Sequence, residues 1–269
     1  MDLLTLLAIF CLLIVAVAFS PLGLGGGILY VPIMHYMLDW EMKEAIVVSL
    51  TLVLMVSLGS SLAHSKSGFA NKEVAKLGRI SAIPSAIIGV ILSGLLISAV
   101  GDVGIKIIAV IIILFIIDRT IRMNISKNNI DGEEINISER KNEYLIGTSF
   151  AGLSSGILGI GGGAILVTLN RSILKMDAKK SAGTSYLITS TIVPVALLSH
   201  LLISNNLDTI VESSGIISMI IIPVMVLISS YLGAKYAIKH LPKQLITFVF
   251  LFVILLSLLK YISDLITLV

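Results

Sequence analysis

Long apolar runs separated by short polar gaps cover most of the chain, and the runs at 3–38 and 144–174 are each interrupted by a cluster of glycines. The remaining runs lie at 44–65, 77–100 and 104–121 in the first half, and at 178–204, 211–237 and 244–265 in the second. Spans of about 20 residues cross a hydrocarbon core of ~30 Å at 1.5 Å per residue. The pattern predicts an all-α polytopic membrane protein. Its two halves, 1–122 and 144–269, flank a polar linker at 123–143.

The interruptions are Gly23-Leu24-Gly25-Gly26-Gly27-Ile28 and Gly159-Ile160-Gly161-Gly162-Gly163-Ala164. Glycine frees the backbone for sharp turns and weakens a helix by about 1 kcal/mol relative to alanine, so three in a row predict a break. Within a bilayer a broken helix survives only where it is buried in protein or lines a wet cavity. The two clusters therefore read as two halves of one substrate site.

A shift of 136 positions superimposes the halves. It places Gly23 on Gly159, Gly25 to Gly27 on Gly161 to Gly163, Ser49 on Ser185 and His64 on His200. A shift of 139 further on pairs Pro84 with Pro223 and Gly94 with Gly233, which reads as a loop-length difference of three. The chain is thus an internal duplication.

Lysine and arginine decide how the broken runs sit. If all eight runs cross, the basic residues divide 10 against 9 between the two sides and select no orientation. If each broken run is a re-entrant hairpin, they divide 16 against 3, with only Lys43, Lys106 and Lys260 on the poor side. The positive-inside rule then favours hairpins, both termini outside and a cytoplasmic linker in a plasma-membrane protein. A hairpin plus three crossings is an odd unit, so the second half enters upside down. Inverted repeats with broken helices around a midplane site characterise secondary transporters.

Composition agrees with this picture. Of 269 residues 57% are hydrophobic and 13% charged, against roughly a quarter charged in soluble domains, and mean hydropathy is +1.06. A net charge of +3 implies no nucleic-acid surface. The single cysteine, Cys11, provides neither a disulfide nor a multi-cysteine metal site. Residues 3–19 resemble a secretory signal, but no lysine or arginine precedes them, and they read as mature structure.

After each glycine cluster a short helix is expected to start, at Ile28 and at Ala164. Its first amides lack intrahelical partners and carry roughly half an elementary charge of positive dipole. Two such ends facing each other attract an anion. A cation site would want a carboxylate in mid-span, and every Asp and Glu falls at a segment end or in a loop. The candidate ligands are the amides of Gly25, Gly26, Gly27 and Ile28 and of Gly161, Gly162, Gly163 and Ala164. Hydroxyls of Ser49, Thr184 and Ser185 join them, ahead of Thr51, Thr189 and Ser190, although such groups also serve helix packing. His64 and His200 are candidates for a gate or proton relay, with a histidine satisfied by helix-end carbonyls as the plainer alternative. No cofactor, metal or catalysis is expected. The expected partners are a small anion and the lipid bilayer, with proton coupling and homo-oligomerisation both open.

Two motif matches lack their required setting. Gly159 to Ala164 fits a loose dinucleotide-binding pattern without a βαβ unit. Gly152-Leu153-Ser154-Ser155-Gly156 spells a nucleophile elbow without a strand–turn–helix around it. An anion channel and a membrane-embedded hydrolase acting through Ser154 and His200 are the rival readings.

The twin segments GLGGGILYVP and GIGGGAILVT resemble those of the sulfite exporter TauE/SafE family, also called 4-toluene sulfonate uptake permeases. So do AGTSYL beginning at Ala182, the histidine that follows it, and IPSAIIGVILSG at 83–94. The resemblance covers nearly the whole chain outside the linker and implies transport of sulfite, sulfonates or related sulfur oxyanions. The first half departs from the second at Val47-Val48, where the second has Gly183-Thr184, and the second departs at Ile228, opposite Gly89.

Overall fold

A computed structural model describes residues 3–125, 134–204, 207–240 and 243–267. Part of the linker, 126–133, lies outside the described residues. Every regular element among those described is helical: α1 Leu3–Phe19, α2 Gly27–Met37, α3 Met42–Lys66, α4 Lys72–Val100, α5 Asp102–Ile125, α6 Lys141–Leu158, α7 Gly163–Ser172, α8 Ala178–Ser204, α9 Leu207–Ser214, α10 Ile216–His240 and α11 Lys243–Thr267. A single 3-10 turn, Ile137–Arg140, leads into α6.

Polarity is distributed as in a bilayer-embedded bundle. Large apolar side chains such as Leu3, Phe10, Ile80, Leu95, Ile217 and Leu232 face outward, whereas Ser49, Ser57, Ser60, Thr148, Ser155, Thr189 and Ser230 are fully buried. Lipid gives no drive to bury apolar surface, so helices associate through small residues and hydroxyls. Four helices among the described residues are long and apolar enough to cross a membrane: Met42–Lys66, Lys72–Val100, Ala178–Ile203 and Ile217–Ile238. α5 falls short of that standard because Lys106 and the group Asp118, Arg119 and Arg122 stand near its two ends.

α4 packs most extensively on α6, α3 on α8 and α10, and α1 on α10. The α4–α6 contact depends on Gly152 and Gly156, where a Cβ would collide with the carbonyl oxygens of Ala82 and Ala86. Gly89 on the facing helix would place a Cβ 2.5 Å from the Leu153 oxygen. The Gly152-Leu153-Ser154-Ser155-Gly156 stretch is therefore the small-residue face of a helix pair, and Ser154 Oγ donates to Ala151 O of its own helix at 2.9 Å.

The corresponding contact in the other half joins Gly233 of α10 to Val17 O of α1, 2.8 Å from where its Cβ would lie. Val17 and Leu153 are 136 positions apart, but Gly89 and Gly233 are 144 apart. The registry of the third run thus differs by eight residues rather than the three expected from the prolines. The eight residues of α9 account for it. α9 also divides the run predicted at 211–237, since Gly215 adopts φ 72 between α9 and α10.

α2 is held by α1, α3 and α11, and α7 by α6, α8 and α5. A charged cluster secures the far end of α2. Lys106 Nζ of α5 meets Asp264 Oδ2 of α11 at 2.9 Å, Lys260 Nζ meets Oδ1 at 3.3 Å, and both ammonium groups stand over the Tyr36 ring.

Candidate functional site

Both glycine clusters form breaks of the same shape. The backbone is left-handed at Gly23, Gly25 and Gly26 (φ 80, 75 and 85) and again at Gly159, Gly161 and Gly162 (φ 69, 74 and 68). An L side chain there is strained by about 1–2 kcal/mol per residue. The short helices begin at Gly27 and Gly163, one residue earlier than expected, with Gly26 and Gly162 as left-handed N-caps.

The third glycine of each cluster answers a different demand. Gly27 and Gly163 do not have positive φ; they let the two breaks touch. A Cβ on Gly27 would lie 2.5 Å from Ile160 Cα and 2.8 Å from Gly159 O, and one on Gly163 would lie 2.6 Å from Gly23 O. Val53 of α3 reaches both breaks, against Gly25 and Gly161. The amide-bearing ends of α2 and α7 thus meet in the interior, where Ile28 and Ala164 are also buried.

The hydroxyls assign themselves unequally. Ser49 Oγ donates to Gly159 O at 2.8 Å, and Ser185 Oγ donates to Gly23 O at 2.9 Å and Gly163 O at 3.2 Å. Each serine therefore fastens the break of the opposite half. Thr184 lies elsewhere: its Oγ1 accepts from Asn71 N at 3.0 Å, at the start of α4. Thr51 and Ser190 donate to carbonyls of their own helices, Val47 O and Leu187 O.

The histidines reach the chain just before each break. His64 Nε2 is 3.3 Å from Ser20 O, and His200 Nε2 is 2.8 Å from Gly156 O. Ser20 and Gly156 are themselves 136 positions apart. Both rings are buried and engaged with carbonyls.

Hydropathy reading passed over one group. Tyr186, fully buried on α8, donates its hydroxyl to Phe19 O at 2.7 Å. The His64 ring lies 5.9 Å from the Tyr186 ring. The one available signal was that this tyrosine follows Ser185 within AGTSYL, a polar atom in an apolar run. Tyr30 packs its ring on Gly26, and among the described residues Tyr30 Oη, Ser60 Oγ and Thr189 Oγ1 are buried without a hydrogen-bond partner.

One cavity adjoins the breaks, and a second is lined by no residue of either break. One, of about 10 Å³, lies beside Gly27, Ile28 and Ile160, room for about one water. The other, of about 560 Å³, opens where α2 ends and α3 begins and runs inward past Trp40 and Thr51 to Leu12 and Met34. Leu12 is one turn of α1 from Val15, which contacts Gly26.

An apolar exterior, hydroxyls turned inward and two interlocked broken helices define a multi-pass membrane protein built to pass a solute. The chain belongs to the sulfite exporter TauE/SafE family, whose model matches residues 8–261. It is a membrane transporter. It is also 28% identical over 244 residues to the probable membrane transporter protein MJ0441 of Methanocaldococcus jannaschii, a similarity covering 86% of each chain. No solved structure matches it.

Proposed function

We propose that this protein is a secondary transporter of a small anion, sulfite or an organosulfonate or a related sulfur oxyanion, and that the anion binds between the two glycine breaks. The observation that carries the reading is the mutual contact of the breaks, with Gly27 against Gly159–Ile160 and Gly163 against Gly23–Leu24. That contact brings two helix N-termini together. Each contributes up to about 2 kcal/mol toward a negative charge, while desolvating an anion costs several kcal/mol. Modest affinity follows, which suits a carrier that must also release.

In this reading residues 1–122 and 144–269 are inverted repeats that rock about the breaks to alternate access. The paired contacts of Ser49 with Gly159 and Ser185 with Gly23, and of His64 with Ser20 and His200 with Gly156, support the repeat relation. Basic residues at the linker side support a cytoplasmic linker, termini outside and a plasma-membrane location. The chemistry is transport rather than catalysis.

The test is uptake of radiolabelled sulfite, sulfate, thiosulfate and a sulfonate into proteoliposomes, with and without a pH gradient. Saturable uptake of sulfite or the sulfonate is expected. Failure of all four to enter above protein-free vesicles overturns the proposal, and unitary currents in bilayer recording point to the channel instead.

A further inference from the structure

The two halves part company beyond the breaks, where each short helix ends. In the first half α3 and α10 touch at Gly59, where a Cβ would lie 2.3 Å from Ser230 Oγ. Further toward the outer end both line the cavity of about 560 Å³, with Val48, Thr51 and Leu52 on α3 and Ser218 and Pro223 on α10.

The same places in the second half are shut. In the registry of 136, Val48, Thr51 and Leu52 correspond to Thr184, Leu187 and Ile188 of α8. In the registry of 144, Ser218 and Pro223 correspond to Val74 and Arg79 of α4. Thr184, Ile188 and Val74 are buried. Asn71 N donates to Thr184 Oγ1 at 3.0 Å, and Arg79 Nε donates to Leu187 O at 3.2 Å, with Nη2 on the same oxygen. Two walls of the open cavity, Thr51 and Pro223, are thus the counterparts of two residues bonded to each other.

Arg79 is a charge inside a membrane-crossing helix, Lys72–Val100. At 1.5 Å per residue it stands about 10 Å in from Lys72. Ionisable groups at such depth pair with one another or with carbonyls, and mark the routes of solutes. Among the described residues Arg79 has no ion pair. Its acceptor is a neutral carbonyl that also takes Ser190 Oγ at 3.1 Å. A guanidinium fits an oxyanion through two parallel N–H groups with charge on both partners, so an oxyanion is the stronger acceptor.

We propose that Arg79 is latch and ligand at the cytoplasmic gate: it closes α4 on α8 through Leu187 O in this form, and in the inward-open form it leaves that carbonyl and holds the oxyanion. The inference rests on the reading of two inverted repeats that carry a sulfur oxyanion. Such repeats exchange conformations as access alternates, so the walls at Thr51 and Pro223 close while those at Leu187 and Arg79 separate. The outer cavity has no guanidinium to match; among the described residues its one ionisable lining group is Asp39. The anion therefore meets a cationic ligand on the cytoplasmic side alone.

The experiment is uptake of radiolabelled sulfite into inside-out and right-side-out membrane vesicles carrying the full chain, as wild type or Arg79→Gln. Glutamine keeps a donor where Nε stands and removes the charge. From the cytoplasmic face half-saturation is expected about tenfold higher in Arg79→Gln, and from the outer face within about twofold of wild type. Equal half-saturation at the cytoplasmic face, or the same rise at both faces, makes Arg79 a packing residue and overturns the proposal. Should Arg79→Gln not insert, Arg79→Lys takes its place. Lysine keeps the charge without the fork, so a cytoplasmic rise of about threefold is expected, and no rise overturns the proposal. A second readout needs no anion. Ile188→Cys in a Cys11→Ser background is labelled from the cytoplasmic face with a membrane-impermeant maleimide, and labelling is expected to quicken several-fold when Arg79→Met removes the latch. Unchanged labelling overturns this proposal alone. A wild type that takes up no sulfite from either face overturns the anion-transport reading, and this inference with it.

Discussion

Ser49 Oγ is hydrogen-bonded to Gly159 O at 2.8 Å across 110 positions of chain, and Ser185 Oγ returns the bond to Gly23 O at 2.9 Å. Each half of the protein thus fixes the break of the other. A carbonyl in a break has no helical donor, so these hydroxyls satisfy groups that would otherwise be buried without a partner.

Ser49→Ala and Ser185→Ala are each expected to lower stability by about 0.6–2 kcal/mol, the range for hydrogen bonds within membranes and for orphaned buried carbonyls. The breaks touch, so the double variant should depart from the sum of the two. Thermal unfolding in detergent measures all three. Unfolding midpoints equal to wild type would mean the serines fasten nothing.

Gly156 faces the Ala86 carbonyl across the α4–α6 contact. Replacing it with leucine inserts a side chain where even one carbon collides, and overpacking of this kind destabilises by about 1–3 kcal/mol or more. Ser154→Ala, by contrast, removes only a bond to its own helix at Ala151. Uptake in vesicles should be lost in Gly156→Leu and retained in Ser154→Ala. Loss of uptake in Ser154→Ala alone would revive a chemical role for that serine.

Lys106 and Asp264 form an ion pair at 2.9 Å with side-chain exposures of 8% and 21%. Asp264→Asn leaves a buried ammonium without its counter-charge and is expected to cost about 3 kcal/mol. Replacing both, Lys106→Met with Asp264→Leu, should recover most of that loss. Denaturation of the two variants side by side checks it. A double variant as unstable as Asp264→Asn would show that apolar packing cannot replace the pair.

Much of this was legible in the chain, for local reasons. Three glycines in an apolar run have little use other than a break, and the breaks fall at 23–27 and 159–163. Left-handed backbone at two of the last three glycines, and close approach at the third, are separate demands that one letter hides. The expected starts at Ile28 and Ala164 fell one residue late because Gly27 and Gly163 can enter a helix. Gly215 was a quieter signal than the triplets, so α9 and the eight-residue registry change went unread. The hydroxyls were the least legible part. Whether Ser49 points at a ligand or at Gly159 depends on a contact 110 residues away, and the bond from Tyr186 to Phe19 O depends on one 167 residues away.

The most direct measurement is uptake of radiolabelled sulfite into proteoliposomes carrying wild type, Gly26→Val or Gly162→Val. These glycines have φ 85 and 68, and a Cβ would press on Tyr30 and Val15 in one case and on the Ala151 carbonyl in the other. If one anion site is shared by the two breaks, either valine alone should reduce uptake to the level of empty vesicles while the protein still inserts. A variant that inserts and retains wild-type uptake would contradict a site built from both.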